Sequence, residues 1–526
     1  MQPSVTLRGH REPRLATPPL VDLHPGTSYG FDVIDFAEEI GHPLLPWQKV
    51  AVIRGGELMC TSDCSASLGV HAATLYDASG EVERMGCRPR FRIVLLIVAR
   101  QNGKTELPVI LSIYWQFRQR LPLVVGTSTK LPYAKESWRK AVNLVKRTRQ
   151  LDDLHEPGRK WYRLTNGETE SWSTPNEQGD ECRYLIAAAN AEGGRSLSIN
   201  RGIADELRQH RTYEAWEAFE PACSPADAQI WALSNAGDSR SVVLNDLQDS
   251  ARDFIATGVG DERLGLLEWS APEDSDPEDV DALLQANPRV GYGLDMDVLL
   301  AGGARAKRLG GQALTGFQTE RMCIRVAALN PRTWRDCLDP GDLLEVRSRV
   351  ALCLHLNPDA DHATLAAAAV LDDGRVRVET IDEWTGPRAA YLLERALPGW
   401  VARVGPRAVG WFPSGPGAAV AARLADRRKE GVRGWPPPKV KVSEIRGEVT
   451  AVCMGLAKEV DAGQLAHSGQ EMLDKQVERA EKQWRGSAWE FKQGGATVDA
   501  VWAVAGAVHL ARTMPRPRKG TGFHAV

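Results

Sequence analysis

An unbroken apolar run, Ile93-Val-Leu-Leu-Ile-Val98, stops at a short polar loop, Ala99-Arg100-Gln101-Asn102-Gly103-Lys104-Thr105, and the residues after it are compatible with a helix. Strand, tight loop and helix in that order make a phosphate cradle. The backbone N–H groups of such a loop and the positive end of the helix hold nucleotide phosphates, with Lys104 reaching the β- and γ-phosphates and Thr105 ligating Mg²⁺. The position that carries the first glycine of the usual phosphate loop is Val98, so the loop is a deviant one.

A second feature gives the cradle chemistry. The mixed apolar segment from Leu197 to Ala204 ends in the acid pair Asp205-Glu206. At the tip of a strand beside the phosphate loop, Asp205 would hold Mg²⁺ through water and Glu206 would polarise the attacking water. Hydrolysis needs both: a cation to neutralise developing charge and a group to orient the nucleophile. The plainer reading is a surface pair opening a helix over Leu207–Phe219, since acids favour the first turn. Asn200, Arg201 and Gly202 interrupt the apolar character of the strand.

At 526 residues the chain exceeds what one hydrophobic core usually serves, so two large domains are expected. A formal net charge of −3 gives no general attraction to nucleic acid, and any DNA contact must come from local basic surface. No apolar run is long enough to span a membrane and no signal core follows Met1, so the chain is expected to be neither membrane-spanning nor secreted. Nine scattered cysteines suggest reduced thiols. Cys60, Cys64, His71 and Cys87 match no usual zinc-finger spacing and read as ordinary thiols.

Strand-like runs at Leu123–Gly126, Tyr184–Ala189 and Ile230–Ser234 alternate with helical ones such as Ala134–Leu151, which predicts a mostly parallel α/β sheet over residues 1–320. The acidic stretch Ala271–Ala282 reads as a surface loop leading into a helix. Asn330-Pro331-Arg332 and Asp339-Pro340-Gly341 punctuate a linker over 321–345. Over 346–512, strand candidates at Val350–Leu356, Ala363–Leu371 and Val376–Ile381 are followed by a helix at Arg388–Val404 and a strand at Ala408–Phe412. Helices follow near Gly417–Arg428, Gly447–Ala457, Gln470–Trp484 and Val498–Arg512, and a basic tail covers 513–526. Three strands and then alternating helix and strand is the order of an RNase H-like α/β fold.

Taken together, these residues resemble the large terminase subunit of tailed bacteriophages. Leu45-Pro46-Trp47-Gln48 looks like that family's adenine-contacting segment, with Gln48 reading the base through an amide that donates and accepts. Arg100 to Thr105 is similar to the family's own loop, which also lacks the early glycine. Ile230 to Asp238 resembles the coupling segment that senses the γ-phosphate through Ser234, Asn235 and Gly237; without the resemblance it is a core strand and a turn. Glu268-Trp269-Ser270-Ala271-Pro272 and Ala286-Asn287-Pro288 resemble segments ahead of the interdomain linker. An arginine acting on the γ-phosphate is also implied, with Arg100 the first candidate and Arg201 and Arg208 behind it. The implied function is ATP-driven translocation of double-stranded DNA into a procapsid in the host cytoplasm. A homo-oligomeric ring would dock on a portal protein and a small terminase subunit would select the DNA. Basic residues Lys135, Arg139, Lys140, Lys146, Arg147 and Arg149, or Arg512, Arg516, Arg518 and Lys519, are candidate phosphate contacts, or solvated helix faces.

The family's nuclease cuts DNA with two Mg²⁺ or Mn²⁺ ions held by convergent carboxylates. This sequence departs from that pattern. His355 stands where the first strand should carry an acid, Phe412 where the fourth strand should end in one, and Asp499, or Thr497 on a shifted alignment, opens the late helix. Asp359, Asp361 and Glu379 are the acids nearby. The fold follows from the resemblance; cleavage does not. The other readings are a DNA translocase or helicase unrelated to capsids, a packaging ATPase without a nuclease of its own, and a decayed, non-enzymatic copy. The intact Lys104, Thr105, Asp205 and Glu206 oppose the last.

Overall fold

The computed structural model describes residues 7–60, 87–128, 131–155, 158, 160–164, 169–175, 181–188, 197–238, 241–273, 275–429, 435–436, 438–445, 449–486, 488–493 and 497–514. The chain forms two compact units, Met1–Val326 and Ala327–Val526. Residues 61–86, with the side chains of Cys60 and Cys87, lie outside the description, as do Arg516, Arg518 and Lys519. No helix among the described residues is long and apolar enough to cross a membrane.

The first unit is built on a nine-stranded sheet. Its strands are β1 (Leu15–Ala16), β2 (Ile93–Val98), β3 (Leu123–Ser128), β4 (Tyr162–Leu164), β5 (Thr169–Pro175), β6 (Glu181–Ala188), β7 (Arg201–Asp205), β8 (Gln229–Ser234) and β9 (Leu264–Trp269), in the order β1-β9-β2-β8-β7-β3-β6-β5-β4. From β9 to β6 every neighbour is parallel. Strands in the middle of a parallel sheet are covered on both faces, which is why β2 can be apolar at every position, and all of it is buried. Helix α1 (Glu106–Phe117) leaves the loop after β2 and is apolar nearly all round, so it packs as an interior helix against one face. The other face is covered by Val243, Leu244 and Ala251 of helix α2 (Val242–Thr257).

Three sequence expectations change here. The strand ending in Asp205 is not next to the strand of the phosphate loop, because β8 lies between them. The helix expected over Leu207–Phe219 is a short 3-10 turn, Leu207–Gln209, and a separate helix, Glu214–Phe219. The antiparallel strands β4 and β5, which carry no clear apolar alternation, add to the parallel sheet that the sequence predicts.

The interruptions in β7 have structural causes. Leu123 N donates to Asn200 Oδ1 at 3.1 Å, and the buried Arg201 guanidinium donates to the carbonyls of Asn200 and Asp227. At Gly202 a Cβ would meet the Phe219 ring at 2.8 Å.

The second unit holds a six-stranded sheet of β10 (Ala351–Leu356), β11 (His362–Val370), β12 (Val376–Thr385), β13 (Ala408–Trp411), β14 (Lys441–Glu444) and β15 (Leu465–His467), ordered β14-β13-β10-β11-β12-β15. The first three strands pair antiparallel, and β13 and β14 run parallel to β10, the RNase H-like arrangement. Helix α3 (Ala389–Val404) covers one face and the almost wholly buried α4 (Asp499–Thr513) the other. Part of the segment read as a linker folds into this unit: Leu329, Trp334 and Cys337 are buried, and Trp334 stacks on His467 with ring centroids 4.2 Å apart. The helix expected through Trp484 stops at Arg479, and Lys482–Arg485 pairs instead with Ala488–Phe491.

Candidate functional site

The phosphate loop is held open by its backbone. Gly103 has φ +85° and Gln101 φ +68°, left-handed values that glycine adopts freely and glutamine at a cost of about 1 kcal/mol or more. Asn102, fully buried, fixes the loop: its Nδ2 donates to Ala99 O at 3.0 Å and to Asn287 Oδ1 at 3.1 Å, and its Oδ1 accepts from Arg289 N at 3.1 Å. The Asn287-Pro288 segment singled out in the sequence is thus a brace for the loop.

Beside the loop is a cavity of about 150 Å³ whose lining includes His42, Leu45, Gln48, Gly103, Glu106 and Arg289. Gln48 is buried in its wall, donating from Nε2 to Gly103 O at 2.9 Å and accepting from Leu45 N at 2.8 Å. Each engaged amide atom keeps one further hydrogen-bonding position, so the side chain retains capacity for a base edge.

Asp205 ends β7, is 7% exposed, and accepts from Glu206 N at 3.0 Å. Burial pushes its carboxyl above the ordinary range; Lys104 opposes this and the neighbouring Glu206 carboxylate reinforces it. Glu206 turns the chain with φ +56°, a second non-glycine residue in the left-handed region at this site. Its Oε1 lies 3.0 Å from Lys104 Nζ and its Oε2 3.5 Å from Arg208 Nε. Burial works to raise the Glu206 pKa, but Lys104, Arg208 and Arg100 outweigh it, so the carboxyl sits below its ordinary value and is ionised at neutral pH. The surface-pair reading does not hold: both acids are tied into the site.

An oxygen donor set suits a hard divalent ion here. The Thr105 hydroxyl precedes α1, and the buried Asp205 carboxyl is a group that a cation would keep ionised. Ser234 and Asn235, at the end of β8, are fully buried. Ser234 Oγ accepts from Arg208 N at 3.1 Å, and Asn235 Nδ2 donates to Glu320 at 3.1 Å. Gly237 follows in a crowded turn where a Cβ would meet Asn245 Oδ1 at 2.6 Å. Arg100 and Arg208 both reach Glu320. Arg201 does not belong with them, because it sits at the opposite end of β7 from Asp205. Glu320, remote in sequence on a polar helix, carried no signal that could have singled it out.

In the second unit His355, Phe412 and Asp499 come together. His355 Nδ1 is 3.1 Å from Asp499 Oδ1, and its ring stacks on Trp502 at 5.1 Å and meets Phe412 edge-on at 5.8 Å. Thr497 precedes the helix, and it is Asp499, 2% exposed, that faces His355. His362, which the sequence reading missed, takes the other Asp499 oxygen at 2.7 Å and bonds Glu383 through its second nitrogen. Burial raises the Asp499 pKa, but the hydrogen bonds of His355 and His362 outweigh it. Asp359 and Asp361 stay exposed on the turn after β10, where Asp361 pairs with Asn357. Glu379 lies near Asp342, and burial raises its pKa. Among the described residues no group of three or more His, Cys, Asp or Glu side chains is arranged to hold a metal ion. At the three positions where the resemblance expects acids, only Asp499 carries a carboxylate; an imidazole at 355 and a phenyl ring at 412 do not fit the ligand set of a two-metal centre.

Of the basic candidates, Arg139, Lys140, Arg147 and Arg149 are exposed along Leu131–Asp152, whereas Arg512 is held by Glu459 at 3.0 and 2.6 Å.

No family model and no curated protein matches the chain. Among solved structures, it is similar to the HK97 bacteriophage large terminase at 17% identity, covering 92% of this chain and 100% of that one with a TM-score of 0.49. The large terminase of a thermophilic bacteriophage in complex with ATP-gamma-S aligns at 11% identity over 83% of this chain and 96% of its own, with a TM-score of 0.29. The large terminase nuclease of thermophilic phage G20c with bound magnesium aligns at 16% identity over 30% and 80%, with a TM-score of 0.23.

Proposed function

We propose that this chain is an ATP-driven motor of the large-terminase type, which translocates double-stranded DNA into a procapsid. The observation that carries the reading is the pairing, in one chain, of two units. One places a phosphate-loop lysine 3.0 Å from the second acid of a strand-end pair, and the other has the RNase H-like strand order. Lys104 and the backbone of the loop bind the triphosphate, while Asn102 and Arg289 keep the loop in shape. Gln48 faces the base from the cavity wall. Mg²⁺ held by Thr105 and Asp205 would neutralise charge developing on the phosphates. Glu206, ionised, orients the attacking water and accepts its proton. Ser234 and Asn235 report the event from the end of β8.

DNA contacts are assigned to the exposed basic residues of Leu131–Asp152, since phosphate recognition is independent of sequence and suits a motor that must grip any duplex. A portal protein, a small terminase subunit, a homo-oligomeric ring and the host cytoplasm complete the reading. The second unit is assigned a DNA-facing role without metal-dependent cleavage of its own.

The test is ATP turnover by the full chain with linear double-stranded DNA and portal-bearing procapsids, read together with protection of the DNA from added nuclease. DNA-stimulated hydrolysis with protected DNA is the expected result. Strand separation without procapsids would favour the helicase reading, and absence of turnover would overturn both.

A further inference from the structure

Two acids of the second unit, Asp499 at the start of α4 and Glu383 near the end of β12, have no lysine or arginine within ion-pairing distance among the described residues; only histidines reach them. His362, the first residue of β11, stands between the two. Its Nε2 bonds Glu383 Oε1 at 2.5 Å, and its Nδ1 lies 2.7 Å from Asp499 Oδ2. The backbone is pinned as well, since His362 N donates to Asn357 Oδ1 at 3.0 Å. One imidazole thus ties β11 to β12 and to α4.

The two histidines beside Asp499 carry different numbers of protons. Gln493 Nε2 lies 3.3 Å from His355 Nε2, and an amide nitrogen only donates, so that ring nitrogen accepts. The proton of His355 is then on Nδ1, which donates to Asp499 Oδ1 at 3.1 Å, and the ring is neutral. His362 has a carboxylate oxygen against each nitrogen instead. A neutral ring would turn a lone pair on one of those oxygens, whereas a ring protonated on both nitrogens attracts both. The side chains of Asp499 and His362 are 3% and 14% exposed, so water screens these charges little. Asp499 Oδ2 and His362 Nδ1 are buried, and neither has a well-aligned hydrogen-bond partner among the described residues. Charge rather than direction holds that contact, as it would hold an ion.

We propose that the imidazolium of His362 is the resident cation of this centre: it sits between Asp499 and Glu383, where a divalent ion would otherwise be drawn, and keeps such ions out. This rests on the reading of the second unit as one without metal-dependent cleavage and is independent of the ATPase reading. Mg²⁺ is held by one or two carboxylates and keeps several of its waters, so an ion with its shell suits a gap the size of a ring. Exclusion is a balance of charge, and further carboxylates beside Asp499 would tip it toward the metal.

The test uses the full chain without nucleotide at neutral pH, with Mn²⁺ as the probe, counted by electron paramagnetic resonance and followed by thermal melting. His362→Gln removes the charge and keeps most of the volume; His362→Lys keeps a charge without the ring. His362→Gln is expected to bind one more Mn²⁺ per chain than the wild type and to melt about 3 °C higher with Mn²⁺ than without it. Both effects should vanish when Asp499→Asn is added, and His362→Lys should take up no extra ion. A folded His362→Gln with the wild-type Mn²⁺ count overturns the proposal, as does a His362→Lys that gains the ion. A His362→Gln that stays unfolded even in Mn²⁺ overturns it too, because an ion should stand in for the lost charge. Wild-type Mn²⁺ binding that Asp499→Asn removes also overturns it; the reading of the second unit falls as well only if that ion supports cleavage of plasmid DNA.

Discussion

Nζ of Lys104 lies 3.0 Å from Oε1 of Glu206, joining the phosphate loop to the acid that follows the buried Asp205. On the proposed reading, the lysine already lies beside the group assigned to the water, across the width of β8. A triphosphate arriving in the cradle would then draw the ammonium toward its oxygens and leave Glu206 to the water, which the first two predictions test.

Lys104→Ala is expected to reduce ATP turnover at least about a hundredfold, since it strips charge neutralisation from the phosphates. Lys104 is part of no apolar core, so circular dichroism should show the parent's fold. Hydrolysis near the parent's rate would show that the cradle is not where ATP reacts.

The two acids separate by role. Glu206→Gln should bind ATP·Mg²⁺ and hydrolyse it about a hundred- to ten-thousandfold more slowly, because an amide cannot accept the water's proton. Asp205→Asn should also lose the metal dependence of nucleotide binding. Titration of fluorescent ATP with and without Mg²⁺ distinguishes them, and equal loss of binding in both would refute the division.

Local patterns made much of this legible before any coordinates. The apolar run of β2 needs burial on both faces, and Gly103 with Lys104 and Thr105 marks the turn that follows it. His355, Phe412 and Asp499 could be placed together because the family resemblance aligns each with a position where that family carries an acid. Long-range polar contacts were not legible. Nothing in the polar helix Gly311–Arg321 announces that Glu320 will meet Arg100, and nothing near His362 announces Asp499. The place of β8 between β2 and β7 was hidden too, because strand order depends on crossovers that no single segment encodes.

Glu268 gives a prediction about pH. It is fully buried in β9, where burial alone would raise its pKa, but Arg252, Ser270 and Gln248 outweigh that and bring it to about 2 from an ordinary 4.5. A depressed folded-state value means that the stabilisation is complete above the unfolded value near 4.5 and is lost as pH falls toward 2. The contribution is about 3 kcal/mol. Glu268→Gln should lower the stability of the first unit at pH 7 and flatten its acid limb in denaturant titrations. An acid limb identical to the parent's would remove Glu268 from the account.

The last prediction concerns the second unit. His355 hydrogen-bonds one oxygen of Asp499 at 3.1 Å, His362 Nδ1 stands 2.7 Å from the other, and the Phe412 ring, where the resemblance expects a second acid, packs against Trp502. Two-metal cleavage needs carboxylates on both sides of the scissile phosphate. The purified chain should therefore leave plasmid DNA uncut with Mg²⁺ or Mn²⁺ while it hydrolyses ATP. His355→Asp together with Phe412→Asp should restore measurable cleavage. Either change alone should do little, because such acids act as a unit. Removing the buried Phe412 ring costs about 3–5 kcal/mol, so thermal melting has to accompany the assay. Robust nicking by the unaltered chain, abolished in Asp499→Ala, would mean that other acids complete a working centre around Asp499.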